Sequence, residues 1–199
     1  SAFSRRRVVD RLAIAFDGAH NSRVVRYEKA WRERSRLLAD NINDESWFAG
    51  LEQILAETGV AIMATRAALI ADMNRQSADM DSLFPKVAAR LEGDAHQLLN
   101  DGLPAIDIED KIMQIAATNR KAGSGAMPGP HETDLIMMFE GRSVADASTG
   151  EQKAVMISAI LAHAQLQDKR LNRPPLLLLD DVAAHLDEHR RTHLFALCS

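Results

Sequence analysis

Hydrophobic positions in this chain recur mostly at spacings of three and four. Trp47, Leu51, Leu55, Thr58, Ile62, Thr65, Leu69 and Met73 follow one another by those two steps and form a coiled-coil-like seam. At 1.5 Å per residue, a helix over that stretch would run roughly 40 Å. Gly59 in its middle argues against a single straight rod. Ahead of it, Val24, Tyr27, Trp31 and Leu38 share one stripe between Arg23 and Asp40, with Arg32, Arg34 and Arg36 mostly opposite. Residues 40–44 read as a turn between two helices that pair antiparallel, with Asp44 or Ser46 capping the second. Val8, Val9, Leu12, Ile14 and Ala15 predict a short helix before both. Trp31 and Trp47 are expected in the packing of this helical arm rather than as platforms for bases. A plain helical bundle would show the same pattern.

Later segments are more mixed. The alternation Val87, Ala89, Leu91 predicts a strand within 84–92, and 93–100 and 107–122 predict helices, the second capped by Asp107 with Asp110 three residues on. Residues 121–130 hold three Gly and two Pro and read as loop. Leu135 to Phe139 is an apolar strand that turns at Glu140-Gly141-Arg142-Ser143, and 189–199 is helical in pattern.

Two stretches carry chemistry. Leu176 to Leu179 is an uninterrupted apolar run between Pro174-Pro175 and two acids, the pattern of a strand buried on both faces of a parallel sheet. Asp180 and Asp181 would then stand at its C-terminal end, where open α/β sheets bind ligands. The first can hold Mg²⁺ through its water shell, and the second can orient a water against a terminal phosphate. Upstream, Ser148-Thr149-Gly150-Glu151 immediately precedes Ala154, Val155, Ile157, Ile160, Leu161 and Ala164. That spacing predicts a helix with Ser148 as N-cap and Glu151 closing a capping box. A helix N-terminus with a Gly that permits close approach is an anion site. Each feature alone also fits an ordinary cap or an ordinary buried strand. In order, and followed by Ala184-His185-Leu186-Asp187, they resemble the signature motif, Walker B strand and D-loop of ABC-type ATPases.

Gly129-Pro130-His131-x-x-Asp134-Leu135, Arg5-Arg6-Arg7-x-x-Asp10-Arg11 and Asp180-Asp181-Val182 extend that resemblance to the RecF family, the SMC-like ABC ATPases of bacterial recombinational gap repair. It covers essentially the whole chain. The resemblance implies an α/β fold with a predominantly helical part: a helical arm over 1–83 and a partial ABC-type lobe over 84–199. It implies an ATP-facing set of Ser148, Thr149, Gly150, Glu151 and Asp187. Ser148 and Gly150 would meet the γ-phosphate of ATP bound to a second subunit, and Asp187 would reach across the dimer. Asp180 would be the Mg²⁺ partner, Asp181 the catalytic acid, and Arg5, Arg6 and Arg7 would touch DNA phosphates. The implied partners are DNA at gaps and junctions, RecO and RecR, and through them RecA. Three positions depart from the pattern. Glu132 follows His131 where the family usually has Arg, Thr149 stands where most ABC proteins have Gly, and Asp181 stands where most have Glu, which implies slow, switch-like hydrolysis.

No GxxxxGK[ST] loop is present, and Gly123-Ser124-Gly125 lacks the Lys of a phosphate cradle. The chain therefore reads as an internal fragment of a longer protein, expected not to hydrolyse ATP by itself. Two alternatives remain: a lobe of another SMC-like ATPase, which would carry a longer coiled coil than 24–74 allows, or a helical interaction module without enzymatic role.

Composition adds little. With 46% hydrophobic and 26% charged residues in 199, the chain is of ordinary globular type. A single cysteine, Cys198, excludes an intrachain disulfide and fits a reducing cytosol. No cationic leader opens it, no apolar run approaches the twenty residues of a membrane span, and a cytoplasmic location is expected. The net charge of −4 does not announce a nucleic-acid binder, yet residues 1–40 hold ten Arg or Lys against five Asp or Glu. That basic end suits a polyanion contact, or simply a solvated helix face. His185, His189 and His193 at i+4 spacings could line one helix face as metal ligands, but no Cys or acid completes a shell in sequence.

Overall fold

The computed structural model describes residues 1–80, 83–178 and 188–197. Helices α1 (Ala2–Ile14), α2 (His20–Ala39) and α3 (Glu45–Asp79) come first, followed by strand β1 (Ala88–Glu92) and helices α4 (Asp94–Asn100) and α5 (Ala105–Lys121). Strands β2 (Asp134–Phe139) and β3 (Arg142–Ser143), a 3₁₀ turn (Val144–Asp146), α6 (Thr149–Leu171) and α7 (Glu188–Leu197) complete the order. The three strands make one small sheet in the order β1-β2-β3, with β2 and β3 antiparallel and Met138 opposite Ser143. The mostly helical α/β character expected from the sequence is present.

Local chemistry explains most of the boundaries. At the end of α2, Asn41 takes the left-handed conformation (φ 53°), its N–H reaches the Leu38 carbonyl and that of Ile42 reaches Leu37, a Schellman-type stop. Asp44 caps α3 by accepting the Trp47 N–H at 3.0 Å. Between β2 and β3, Glu140 and Gly141 both have positive φ, 49° and 78°, as a tight two-residue hairpin requires. Gly59 does not interrupt α3. A Cβ there would meet Pro130 Cδ and Tyr27 Cε2, each at 3.2 Å, so glycine is what lets a ring and a loop press against the helix.

The described chain packs as two units: residues 1–68 with 91–135, and residues 69–90 with 136–199. The boundary expected at 83/84 groups segments by motif, and it falls inside the second of these packed units. In the first unit, Tyr27, Leu37, Phe48, Leu55, Met63 and Ile112 form the centre of an apolar core shared by α2, α3 and α5. Buried charges tie the same helices. Arg34 donates to Glu52 at 3.0 Å and to the Gly125 carbonyl at 2.7 Å, while Arg120 bridges Glu52 and Glu45 and lies over the Phe48 ring at 4.5 Å.

The second unit is built around Met80, Phe84, Ile157, Leu161 and Leu194. Polar ties hold its segments. Asn74 exchanges hydrogen bonds with the Ala89 backbone, the Val87 N–H reaches Ser77 Oγ, and the buried Ser158 hydroxyl donates to the Pro85 carbonyl.

Four expectations are corrected. Trp47 is 47% exposed, with its indole N–H on Glu33, and the next residue, Phe48, is the one buried. At its first turn the seam runs through Phe48, which packs in the first core with Arg120 over its ring. Asp107 is not the cap of α5. That helix starts at Ala105, with Pro104 (φ −56°, ψ 145°) as its N-cap, and Asp107 sits inside the first turn, where its charge suits the helix dipole. Leu176–Leu178 form no strand. Leu176 and Leu178 are each 86% exposed and only Leu177 touches the second core. A doubly buried strand needs hydrogen-bonded neighbours on both edges, and no described residue pairs with this run. Finally, α3 is long and apolar enough to cross a membrane by length and composition, with a window of mean hydropathy 1.6 that is 56% buried inside the protein. Its Ala and Met residues keep the average high without an uninterrupted apolar run, and its upper part is core of the first unit.

Candidate functional site

In the second unit, β2, the Glu140-Gly141 turn, β3 and the 3₁₀ turn deliver the chain to the start of α6. Ser148 is extended (φ −62°, ψ 157°), its Oγ accepts the Glu151 N–H at 3.3 Å, and the Glu151 carboxylate accepts the Ser148 N–H at 2.7 Å. The predicted capping box is formed. Glu151 also accepts from Arg142 at 2.7 Å. Hydrogen bonds from Ser148, with Arg142 nearby, hold the Glu151 carboxyl below its usual range, so it stays ionised. Ser148, Thr149 and Gly150 are exposed, and a Cβ on Gly150 would meet nothing within 4 Å. Internal packing therefore does not demand glycine at 150. The first-turn N–H groups of Thr149 and Gly150 have no acceptor among the described residues and point the positive end of a 23-residue helix outward.

Asp180, Asp181 and Asp187 lie outside the described residues, as does His185. Among the described residues no group of three His, Cys, Asp or Glu is arranged to hold a metal ion.

In the first unit the three arginines of α1 have different surroundings. Arg5 makes a two-pronged ion pair with Asp134, at 2.8 and 2.5 Å. Arg6 donates to the Thr133 carbonyl at 3.1 Å, and burial, with Arg66 close by, lowers its pKa from the usual value. Arg7 is exposed, its guanidinium 5.7 Å from the centre of the Phe3 ring. One turn on, Asp10 accepts two bonds from the buried Arg66 of α3, at 2.8 and 2.9 Å, and one from His20 at 2.8 Å. Burial opposes the Asp10 charge, but His20 and Arg66 outweigh it and its pKa is lowered. Arg66 also donates to the Pro130 carbonyl at 2.8 Å, so one guanidinium ties α1, α3 and the Gly129-Pro130-His131 loop.

That loop closes on α2. The Tyr27 hydroxyl is 2.7 Å from His131 Nδ1, and the His131 ring lies 3.8 Å from that of Trp31. Burial, with Arg6 and Arg34 nearby, pulls the His131 pKa down to about 4, and burial pushes the Tyr27 phenol up. The imidazole is therefore neutral at pH 7 and accepts from the Tyr27 O–H at Nδ1. Gly129 is obligatory, since any Cβ there would collide with the Tyr27 hydroxyl. The result is a cavity of about 350 Å³ whose lining includes Arg6, Arg7, Arg32, Arg66, Trp31 and His131. Its residues come from four segments distant in sequence. The signal that the sequence reading missed is Arg66, a cation within an apolar helical stretch, which when buried needs a carboxylate.

No protein-family model matches the sequence. The DNA replication and repair protein RecF of Mesorhizobium japonicum is 39% identical over 206 residues, which take in 98% of this chain and 53% of that protein. RecF of Brucella abortus is 42% identical over 204 residues, again 98% of this chain and 53% of the relative. Over nearly all of its length, the chain is similar to RecF. It spans about half the length of the curated relatives it matches. A solved structure of the recombination mediator protein RecF with ATP, from the RecFOR pathway, superposes with a TM-score of 0.80 over 99% of this chain and 55% of that one, at 21% identity. The corresponding RecF-ATPrS structure gives 0.82. The fold described above is therefore the RecF fold over this segment.

Proposed function

We propose that this RecF-like chain is the signature-bearing part of a DNA replication and repair ATPase. The observation that carries the reading is the closed capping box of α6 with its outward Thr149 and Gly150 N–H groups, unpartnered among the described residues. Ser148 and these amides suit the γ-phosphate of ATP held by a second subunit, the arrangement in which nucleotide binding closes a dimer. Glu151 keeps the Ser148 backbone in place while Arg142 offsets its charge. Asp180 would serve Mg²⁺ and Asp181 would orient the attacking water, with Asp187 reaching across the dimer. The half of the ATP site that holds the triphosphate would come from sequence that RecF relatives have beyond this segment. Slow turnover suits a switch that closes on DNA and reopens on hydrolysis.

In this reading the protein is cytoplasmic, contacts gapped or junction DNA through the basic face of α1 (Arg5, Arg6, Arg7), and acts with RecO and RecR to place RecA. Arg5 is already engaged by Asp134, which makes Arg7 the most available of the three. The test is ATP-dependent dimerisation of an intact RecF-like protein from the same source in the presence of this chain. The wild-type chain should shift the dimer equilibrium, and Ser148→Arg, which places a bulky cation at the α6 N-terminus, should not. Equal effects of the two chains would refute the assignment.

A further inference from the structure

The cavity of the first unit is not used by the ATP-site reading. It combines three properties. Its volume of about 350 Å³ lies within the range of small-ligand pockets, about 300–1,000 Å³. Its walls are cationic, with four guanidinium groups against the carboxylates of Asp10 and Glu28, and Asp10 is already taken by Arg66 and His20. Flat rings also line it: Phe3 from α1, and the Trp31–His131 pair from α2 and the Pro130 loop. Among the described residues neither Arg7 nor Arg32 makes an ion pair. Arg7 rests on Phe3, and Arg32 donates through Nε to the Glu28 carbonyl, leaving its terminal amino groups for another acceptor.

The walls are held before any ligand arrives. Arg66 fixes α1 to α3 and to the loop, and the Tyr27 hydroxyl fixes the His131 ring. A site that is already ordered loses less entropy on binding. Its neutral imidazole adds ring surface without adding charge.

We propose that this cavity binds a nucleotide, with the base against the Trp31–His131 rings and the phosphate on Arg7 and Arg32. Phosphate alone would leave the rings unused, and an uncharged aromatic ligand would leave two exposed guanidinium groups unpaired. The inference rests on the DNA-related reading for its biological sense: the nucleotide is one unit of a single strand or a free nucleotide, and the chemistry of the site is the same for both. Stacking on an aromatic platform contributes a term for any base, and arginines supply the salt-dependent one.

The chain has two tryptophans, so Trp47→Phe leaves Trp31 as sole reporter. This protein is titrated by fluorescence with deoxyadenosine monophosphate, inorganic phosphate and a short single-stranded oligonucleotide, and oligonucleotide binding is followed separately by anisotropy. Quenching of Trp31 by the oligonucleotide or the mononucleotide, but not by phosphate, supports the proposal, and which of the two acts identifies the source. Arg7→Glu combined with Arg32→Glu, both at exposed positions, should weaken binding at least about tenfold and flatten the log–log salt dependence by about 0.7 per lost contact. Trp31→Leu, checked by circular dichroism, should weaken it roughly 5- to 150-fold. Equal quenching by phosphate alone, or wild-type affinity in the double variant, overturns the site. Anisotropy showing strand binding without any change at Trp31 overturns the cavity while leaving the DNA reading intact. No strand binding by the wild type, together with no quenching by the mononucleotide, defeats both.

Discussion

Replacing Glu52 by Gln tests the charged core of the first unit most directly. Glu52 is almost fully buried and accepts from Arg34 at 3.0 Å and from Arg120 at 3.2 Å, and Arg34 is 1% exposed. Gln keeps the shape and one oxygen but removes the charge. Arg120 retains Glu45 at 3.0 Å, whereas Arg34 keeps the Gly125 carbonyl and at most a neutral amide oxygen, and its second amino nitrogen already has no partner among the described residues. Unit charges about 4 Å apart attract by roughly 4 kcal/mol at an effective dielectric near 20. Measured losses from orphaning one member of a buried pair fall at about 3–5 kcal/mol. For a chain of this size that lowers Tm by about 6–20 °C. The assay is thermal unfolding by circular dichroism, with Arg34→Met/Glu52→Leu as the second arm. The double variant removes both charges, so it should lose less than the sum of the single changes. A Glu52→Gln protein melting within about 2 °C of wild type would show that Arg34 does not depend on this carboxylate, and the charged tie would be incidental.

Three further outcomes follow from the geometry. His131 is held neutral by burial beside Arg6 and Arg34, with a pKa of about 4 in the fold against about 6.5 unfolded, so its contribution is complete above pH 6.5 and is lost as pH falls through about 4. Discounted for its partial exposure, that loss is about 1–2 kcal/mol, and urea titrations from pH 7 to 4 should show His131→Gln with a flatter profile than wild type. Ser148→Ala breaks the capping box and should cost about 1 kcal/mol of stability in the second unit, read as faster hydrogen exchange in the first turns of α6. Gly59→Ala would ordinarily stabilise a helix by up to about 1 kcal/mol, but two buried neighbours at 3.2 Å cannot both retreat, so its Tm should fall. A rise would mean that the Pro130 loop yields easily.

Legibility in the sequence depended on range. The α6 cap was readable because Ser148 and Glu151 are three residues apart and carry their own partners, and the same holds for Asp44 and the Glu140-Gly141 turn. The Leu176 run was misread because a strand is defined by neighbours, and periodicity says nothing about whether they are there. The seam alone points Trp47 inward, while Phe48 is the ring that packs in the core, under a guanidinium from over seventy positions downstream. The cavity was invisible for the same reason. Asp10, Arg66 and Pro130 meet only in three dimensions, and Arg5 gives no hint in sequence that Asp134 will hold it.

The Arg66 tie has a consequence for how the chain is made. It joins residue 10 to residue 66 and both to residue 130, and the first unit as a whole is interrupted by the stretch 69–90. During vectorial synthesis α1 and α2 emerge long before the loop that completes their packing. Val9, Val24 and the rings of Tyr27 and Trp31 must wait on the ribosome or with a chaperone until the loop at Pro130 is out. Truncations that end before Pro130 should therefore aggregate, while those that end shortly after Leu135 should already yield a soluble, compact nascent chain.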